Sequence, residues 1–270
     1  MLETRKRLPT ALILIALVYA CIQYFPRLGF FIAVQVVILA ALFEFYHLPE
    51  KKNLFPSKVF GIILALGISL SFYFDWLSLE LVLFAWLFIT GSYFVASMNS
   101  LGKMMHFPTT ISLTFFGAFY VSFTLNHIFL VRENFGPFFI YFLLLVVIAG
   151  DSGAFTFGKL LGRHKMTPLA SPNKTWEGSI AGLISACIGG VIVQQVLLRD
   201  ALLWKAIVFA LVIHAAAQIS DPLESVFKRA AGVKDSSNAL PGHGGFLDRI
   251  DSHILAAPLF YYLLIFVGMD

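Results

Sequence analysis

Apolar residues run along this chain in long blocks separated by short polar stretches. Nine blocks, near 8–25, 28–48, 59–75, 80–97, 107–131, 135–150, 177–198, 202–219 and 252–269, are long enough, or nearly so, to cross about 30 Å of hydrocarbon as helices. Block 135–150 is short and is expected to extend beyond its apolar core. The pattern predicts an all-α integral membrane protein with about nine transmembrane helices. The start, MLETRKR followed by apolar residues to Phe25, has the outline of a signal peptide. The run is long for a signal, no A-x-A site closes it, and Tyr19-Ala20-Cys21 is a poor lipoprotein-type site, so it reads as a retained first span.

The polar stretches are unevenly spread. Residues 1–106 have short loops and few candidate chemical groups, and read as membrane scaffold helices. Residues 107–270 read as the functional membrane region, with two long polar stretches, 150–178 and 218–252. No internal repeat or low-complexity linker interrupts them.

Composition agrees with the pattern. The chain has 270 residues, 59% hydrophobic and 13% charged, whereas soluble domains carry roughly 25% charge. Its 29 Phe suit a lipid-facing surface. With the N-terminus cytoplasmic, 15 of the 19 basic residues fall in inside loops, and only Arg27, Arg132, Arg199 and Lys205 fall outside. That split accounts for the net charge of +4 through topology and anionic lipid, and argues against nucleic acid as a partner. Cys21 and Cys187 lie in apolar runs and suggest neither a disulfide nor a metal site.

In the first polar stretch, Asp151 sits at the membrane edge, where an ionisable group is either functional or an interfacial, solvated residue. Gly153, Gly158 and Gly162 allow close helix packing or close ligand approach. Lys159, Arg163 and Lys165 suit either a site or simple topology. Ser171 before Pro172 is expected to cap a helix start. With Asn173, Lys174 and Thr175 it makes a candidate phosphate cradle at a helix N-terminus.

In the second stretch, Asp221, Pro222 and Glu224 follow capping-box logic as N-cap, N1 and N3. This predicts that the eighth span breaks near Ser220/Asp221. The new helix is expected to run to about Ala231 with Gly232 at its C′ position. A break near the bilayer exposes backbone groups, which is tolerated where they face protein or a wet cavity. Lys228 and Arg229 lie within a turn of Glu224 and Ser225, and intrahelical ion pairing is the modest alternative to a ligand role. The run Pro241-Gly242-His243-Gly244-Gly245 lets backbone N–H groups approach an anion. Asp248 and Asp251, if helical, share a face. Carboxylates without a Cys/His cluster suit Mg2+, which takes one or two carboxylates plus substrate phosphates. His243 and His253 read as hydrogen-bonding residues.

The segment SVFKRAAGVKDSSNALPGHGGFLDRID, from Ser225 to Asp251, closely resembles the signature of the phosphatidate cytidylyltransferase family. Ser225, Phe227, Lys228, Arg229, Lys234, Asp235, Pro241, His243, Gly244, Gly245, Phe246, Asp248, Arg249, Ile250 and Asp251 fill its fixed positions. The upstream SPNKTWEG resembles a second family block. The chain departs from the family at Ser220-Asp221-Pro222, where Gly-Asp-Leu is common, and at Asn173, where a second Lys is frequent.

The resemblance implies a membrane enzyme that makes CDP-diacylglycerol and pyrophosphate from CTP and phosphatidate with Mg2+, and with room for a second cation. It implies a homodimer, while the basic-residue split puts the active site on the cytoplasmic side of a bacterial-type inner membrane. On this basis Asp221 and Asp248 are the leading metal ligands, and Asp251 and Glu224 the next. Lys174, Lys228, Arg229, Lys234 and Arg249 are expected on triphosphate or lipid phosphate. Gly244 and Gly245 are expected to supply backbone donors, and Ser171, Asn173, Thr175, Ser225 and His243 to contact substrate. Three rival readings stand beside it. A transporter is disfavoured by few polar groups at depth beyond residues such as Gln35 and Gln194. A CTP-dependent enzyme for another lipid phosphate or polyprenol needs substrate competition to separate it. A non-catalytic scaffold would not need the charged constellation.

Overall fold

A computed structural model describes residues 15–199, 201–237, 239 and 244–268. The chain forms α1 (Ile15–Tyr24), α2 (Arg27–Glu50), α3 (Lys58–Tyr73), α4 (Leu79–Ser97) and α5 (Leu101–Ala118). A π-helical turn (Phe119–Phe123) joins α5 to α6 (Thr124–Phe135), and α7 (Pro137–Leu161) follows. The hairpin β1 (Lys165–Thr167) and β2 (Ser171–Thr175) precedes α8 (Trp176–Leu197), α9 (Leu203–Ala230) and α10 (Leu247–Val267).

Among the described residues the apolar blocks fall on helices, so the chain is an all-α integral membrane protein apart from the small hairpin. Seven helical stretches among the described residues are long and apolar enough to cross a membrane, with Leu101–Phe135 counted as one. The described part of α1 and the 16 residues of α3 are shorter. At about 1.5 Å per residue, α3 is only about 24 Å long. Block 135–150 does extend, to Leu161.

Two apolar cores hold the helices. One gathers Phe129, Phe142, Phe209 and Phe260 from α6, α7, α9 and α10. The other gathers Leu42, Phe45 and Tyr46 of α2 with Leu64, Ile68, Trp86 and Val121. Helix α2 contributes to both, through Phe30 and Phe31 at its start and Ile38 to Leu48 later. Outward residues stay apolar: Phe84 and Phe88 on α4, and the i+4 ridge Ile180, Ile184, Ile188 and Ile192 on α8, are all exposed, as expected for lipid-facing helix.

Some polar groups at depth pair with one another, while Gln35 Oε1, Thr90 Oγ1, Tyr120 OH and both ring nitrogens of His214 are buried without a hydrogen-bond partner. Gln35 donates to Asn126 at 3.0 Å, Asn126 donates to Ser69 at 2.9 Å, and Ser122 in the π turn donates to the Ala65 carbonyl at 2.8 Å. Gln194 donates to the Ala201 carbonyl. Gln35, Ser69, Ser122 and Asn126 join α2, α3, the π turn and α6.

The bundle has two unlike ends. At one, Arg27 pairs with Glu133 at 3.1 Å, while Arg132 donates to the carbonyls of Ile22 and Phe25. The other end carries the C-termini of α2, α7 and α9 and the N-termini of α8 and α10, which the hydrogen bonds described below tie together.

Two local expectations are corrected here. Helix α9 does not break near Ser220/Asp221: it continues through Pro222 to Ala230. The proline removes one intrahelical N–H, but the flanking turns are held by neighbours. Ser220 donates to the Asp251 carbonyl and accepts from the Leu255 amide, and Gln218 exchanges two hydrogen bonds with Ser179. Interior prolines persist in membrane helices under such conditions. The expected end does hold. Gly232, with φ of 78°, sits at C′, its amide bonds to the Arg229 carbonyl, and the Val233 amide bonds to the Lys228 carbonyl, forming a Schellman closure. Likewise, Ser171 does not cap a helix. Residues 171–175 pair with β1 as a strand, and Thr175 caps α8 by accepting from the Gly178 amide at 3.2 Å.

Candidate active site

The sequence places small residues where α7 meets α8. A side chain at Gly153 would strike Ser185, and one at Gly178 would strike Gly158 and the Ala154 carbonyl. The resulting close approach brings the hairpin and the N-terminus of α8 over the C-terminal half of α7. Between them and the facing ends of α9 and α10 lies a cavity of about 790 Å3. Asp151, Asp221 and Asp251 line it, together with Lys159, Lys165 and Lys174. Ser171, Asn173, Thr175, Ser179, Gln218 and Ser252 supply neutral polar groups, and Phe155 and Met166 supply an apolar wall.

The three aspartates come from three helices and have spare acceptor capacity. Asp221 accepts Lys174 Nζ at 2.8 Å on Oδ2, and a long 3.4 Å contact from Ser225 on Oδ1. Ser252 links the other two: its amide donates to Asp251 at 2.7 Å and its hydroxyl to Asp151 at 3.1 Å. Their like charges act on one another across the cavity.

A second set of carboxylates is sealed. Glu224 is fully buried and pairs with Lys228 one turn along α9. Lys228 also reaches Asp248 Oδ1 at 2.8 Å. Asp248 Oδ2 accepts from the Ser236 amide and hydroxyl, both at 3.0 Å, and from the Gly245 amide at 2.9 Å. Glu44, in the middle of an apolar block, accepts four hydrogen bonds from this same region: Ser236 and Ser237 hydroxyls and the Phe246 and Leu247 amides, at 2.7 to 3.0 Å.

The expected site residues therefore fall into groups. Lys174, Asp221 and Asp251 meet in the cavity with Ser171, Asn173 and Thr175, and Ser225 is buried behind Asp221. Glu224, Lys228 and Asp248 form the sealed group beside it. Asp248 and Asp251 are both on α10, but only Asp251 lines the cavity. Arg229 donates to the carbonyls of Ala170 and Val233 and so ties the hairpin turn to the end of α9. Lys234 and Arg249 are exposed outside the cavity lining. Pro241, Gly242 and His243 lie outside the described residues.

Gly245 was expected to offer its amide to an anion. It donates to Asp248 instead, and a side chain there would strike Ser236 and Glu44. Gly244, with φ of 76°, supplies the left-handed turn beside it. His253 was expected to hydrogen-bond, yet its Nε2 is buried without a partner. Sequence reasoning missed Glu44. The available signal was a carboxylate inside a span, which is a functional hypothesis by default.

Among the described residues no three acidic, His or Cys side chains converge as a ready-made metal site. The cavity still fits Mg2+, because that ion takes one or two carboxylates and completes its shell with substrate phosphate and water. Asp221 and Asp251 meet this requirement.

A sequence model of the cytidylyltransferase family matches residues 5–267. The chain belongs to the cytidylyltransferase family. It is similar to the phosphatidate cytidylyltransferase of Staphylococcus saprophyticus, 36% identical over 239 residues, covering 85% of this chain and 90% of that protein. The Haemophilus influenzae phosphatidate cytidylyltransferase is 31% identical over 300 residues, covering 97% and 99%. That of Staphylococcus haemolyticus is 38% identical over 193 residues, covering 71% and 72%. In this member of the cytidylyltransferase family, the mixed-charge cavity lies between α7, the hairpin and the facing ends of α8, α9 and α10.

Proposed function

We infer that this chain is a phosphatidate cytidylyltransferase, making CDP-diacylglycerol and pyrophosphate from CTP and phosphatidate. The observation that carries the reading is the meeting of three aspartates and three lysines in one cavity at the end of a membrane bundle. A phosphate oxygen of phosphatidate attacks the α-phosphorus of CTP. The new P–O bond forms as the bond to the bridging oxygen of the β-phosphate breaks, and pyrophosphate leaves with the electron pair. The lipid brings its own nucleophile, so the protein's work is to position two anions and balance charge.

Lys159, Lys165 and Lys174 face the phosphates. Lys174 also holds Asp221 in place at 2.8 Å. Asp221 leads the proposed cation ligands, with Asp251 and Asp151 beside it. Asp248 follows, because it reaches a cation only by giving up Lys228, Ser236 or Gly245. Glu224 belongs to the Lys228 pair. Bound Mg2+ would neutralise charge on the triphosphate and its leaving pyrophosphate. Arg229, Lys234 and Arg249 surround the site as a basic rim, and His243 and Gly244 complete the proposed substrate contacts.

Nine crossings with a cytoplasmic N-terminus and a cytoplasmic site belong to the same proposal. It is supported by the basic-residue split and by the location of Arg27 and Arg132 at the end opposite the cavity. A bacterial plasma membrane and a homodimer are proposed with it. Residues 1–106 act mainly as scaffold and residues 107–270 as the reactive part, with Glu44 as the exception.

The test is turnover of radiolabelled CTP by the purified protein in nanodiscs containing phosphatidate. CDP-diacylglycerol and pyrophosphate should appear in equal amounts and only with a divalent cation. Absence of CDP-lipid, or faster transfer to an isoprenoid lipid phosphate, would overturn the substrate assignment.

A further inference from the structure

Helix α10 begins without a cap of its own, for Phe246 at its N-cap position makes no side-chain capping bond. The first N–H groups of a helix need acceptors, and an anion placed there is favoured by the helix dipole. Here the acceptor comes from a different helix, about 200 residues away in sequence. Glu44 Oε1 takes the Phe246 amide at 3.0 Å and Oε2 takes the Leu247 amide at 2.9 Å. The same two oxygens accept the hydroxyls of Ser237 and Ser236, at 2.7 and 2.8 Å. One buried carboxylate thus ties Ser236 and Ser237 to the start of α10.

The consequence reaches the cavity. Asp248 follows Leu247 directly, and Asp251 lies one turn further along α10. Their height against Asp221 on α9 depends on where α10 begins. Gly245 leaves room for this contact, since a side chain there would strike Glu44 and Ser236.

We propose that Glu44 is a positioning residue for the reaction: it caps α10 from the scaffold and thereby fixes Asp251 and Asp248 against Asp221. The proposal rests on the functional reading above. Glu44 itself touches no substrate in it. The isosteric amide cannot do the same work. Glu44→Gln keeps one acceptor but turns an NH2 toward a backbone N–H of α10. Glu44→Asp keeps the charge and shortens the reach.

The experiment combines steady-state kinetics with hydrogen exchange on the full chain in nanodiscs. In Glu44→Gln, amides 244–250 should exchange faster while the rest of the bundle keeps its protection. The kcat/KM for CTP should fall about tenfold or more, with a higher half-saturating Mg2+ concentration. The KM for phosphatidate should stay within about twofold, and Glu44→Asp should recover part of the loss. Ser237→Ala, which removes one of the four donors, should move the same parameters in the same direction by less. This serves where Glu44→Gln folds poorly.

The proposal is overturned if the folded fraction of Glu44→Gln keeps the wild-type CTP KM and Mg2+ dependence. It is also overturned if exchange at 244–250 is unchanged. Wild-type protein that fails to turn over CTP would sink the functional reading instead, and the exchange result would still report on the clamp.

Discussion

The molecule contains two groups of carboxylates separated by little more than a helix turn, and they are built in opposite ways. Asp151, Asp221 and Asp251 face a cavity with few fixed donors. Glu44, Glu224 and Asp248 are buried and engaged, by four hydrogen bonds on Glu44, by Lys228 on Glu224, and by Lys228, Ser236 and Gly245 on Asp248. The difference teaches that residue type and sequence proximity do not set a carboxylate's role. Access to the cavity does, and burial against fixed partners removes that access. A carboxylate that faces the cavity can take a cation or steer a phosphate, and one sealed against Lys228 or the start of α10 holds structure.

The comparison breaks most clearly at Asp221. Asp221→Asn should lower CTP turnover about a thousandfold while leaving the thermal midpoint of the detergent-purified protein nearly unchanged. Near-wild-type turnover would merge the two groups. On the sealed side, Lys228→Met strands Glu224 and Asp248 without their cation. Breaking a buried pair in this way costs about 3–5 kcal/mol, so the variant should lose folded yield and thermal stability. Adding Glu224→Gln to it should restore part of the stability, and no recovery would show that the pair is not the source.

Smaller effects sharpen the contrast away from both groups. Asn126→Leu removes the polar knot between α2, α3 and α6, and should cost about 1–2 kcal/mol of stability without changing the CTP KM. A change in KM there would extend the site into the scaffold. Thr175→Ala deletes the cap of α8 and should cost about 1 kcal/mol, measured by thermal unfolding.

Much of this was legible in the sequence. Apolar block lengths located the helices, because burial in lipid demands long apolar stretches whatever the tertiary context. The edge position of Asp151 and the separate candidacies of Lys174, Asp221 and Asp251 were also readable as chemistry, although Asp248 stood ahead of Asp251 as the partner of Asp221. Local capping signals misled in two places. Asp221, Pro222 and Glu224 have the spacing of a helix start, yet contacts from α8 and α10 carry α9 straight through. Ser171-Pro172 has the look of a cap, yet pairing with residues 165–167 draws it into a strand. Both outcomes depend on partners that a local window does not contain. Glu44 was hidden for the same reason: its donors lie nearly 200 residues downstream. The family signature grouped Asp248 with Asp251, but only packing shows that one faces the cavity and the other its neighbours.

The most direct test of the open and sealed division is cation binding measured apart from turnover. Mn2+ binding can be followed by electron paramagnetic resonance in the presence of CTP, comparing wild type, Asp221→Asn and Glu224→Gln. The account predicts about tenfold or greater loss of Mn2+ affinity in Asp221→Asn and a change within about twofold in folded Glu224→Gln. Equal losses in both variants, or a loss confined to Glu224→Gln, would contradict it.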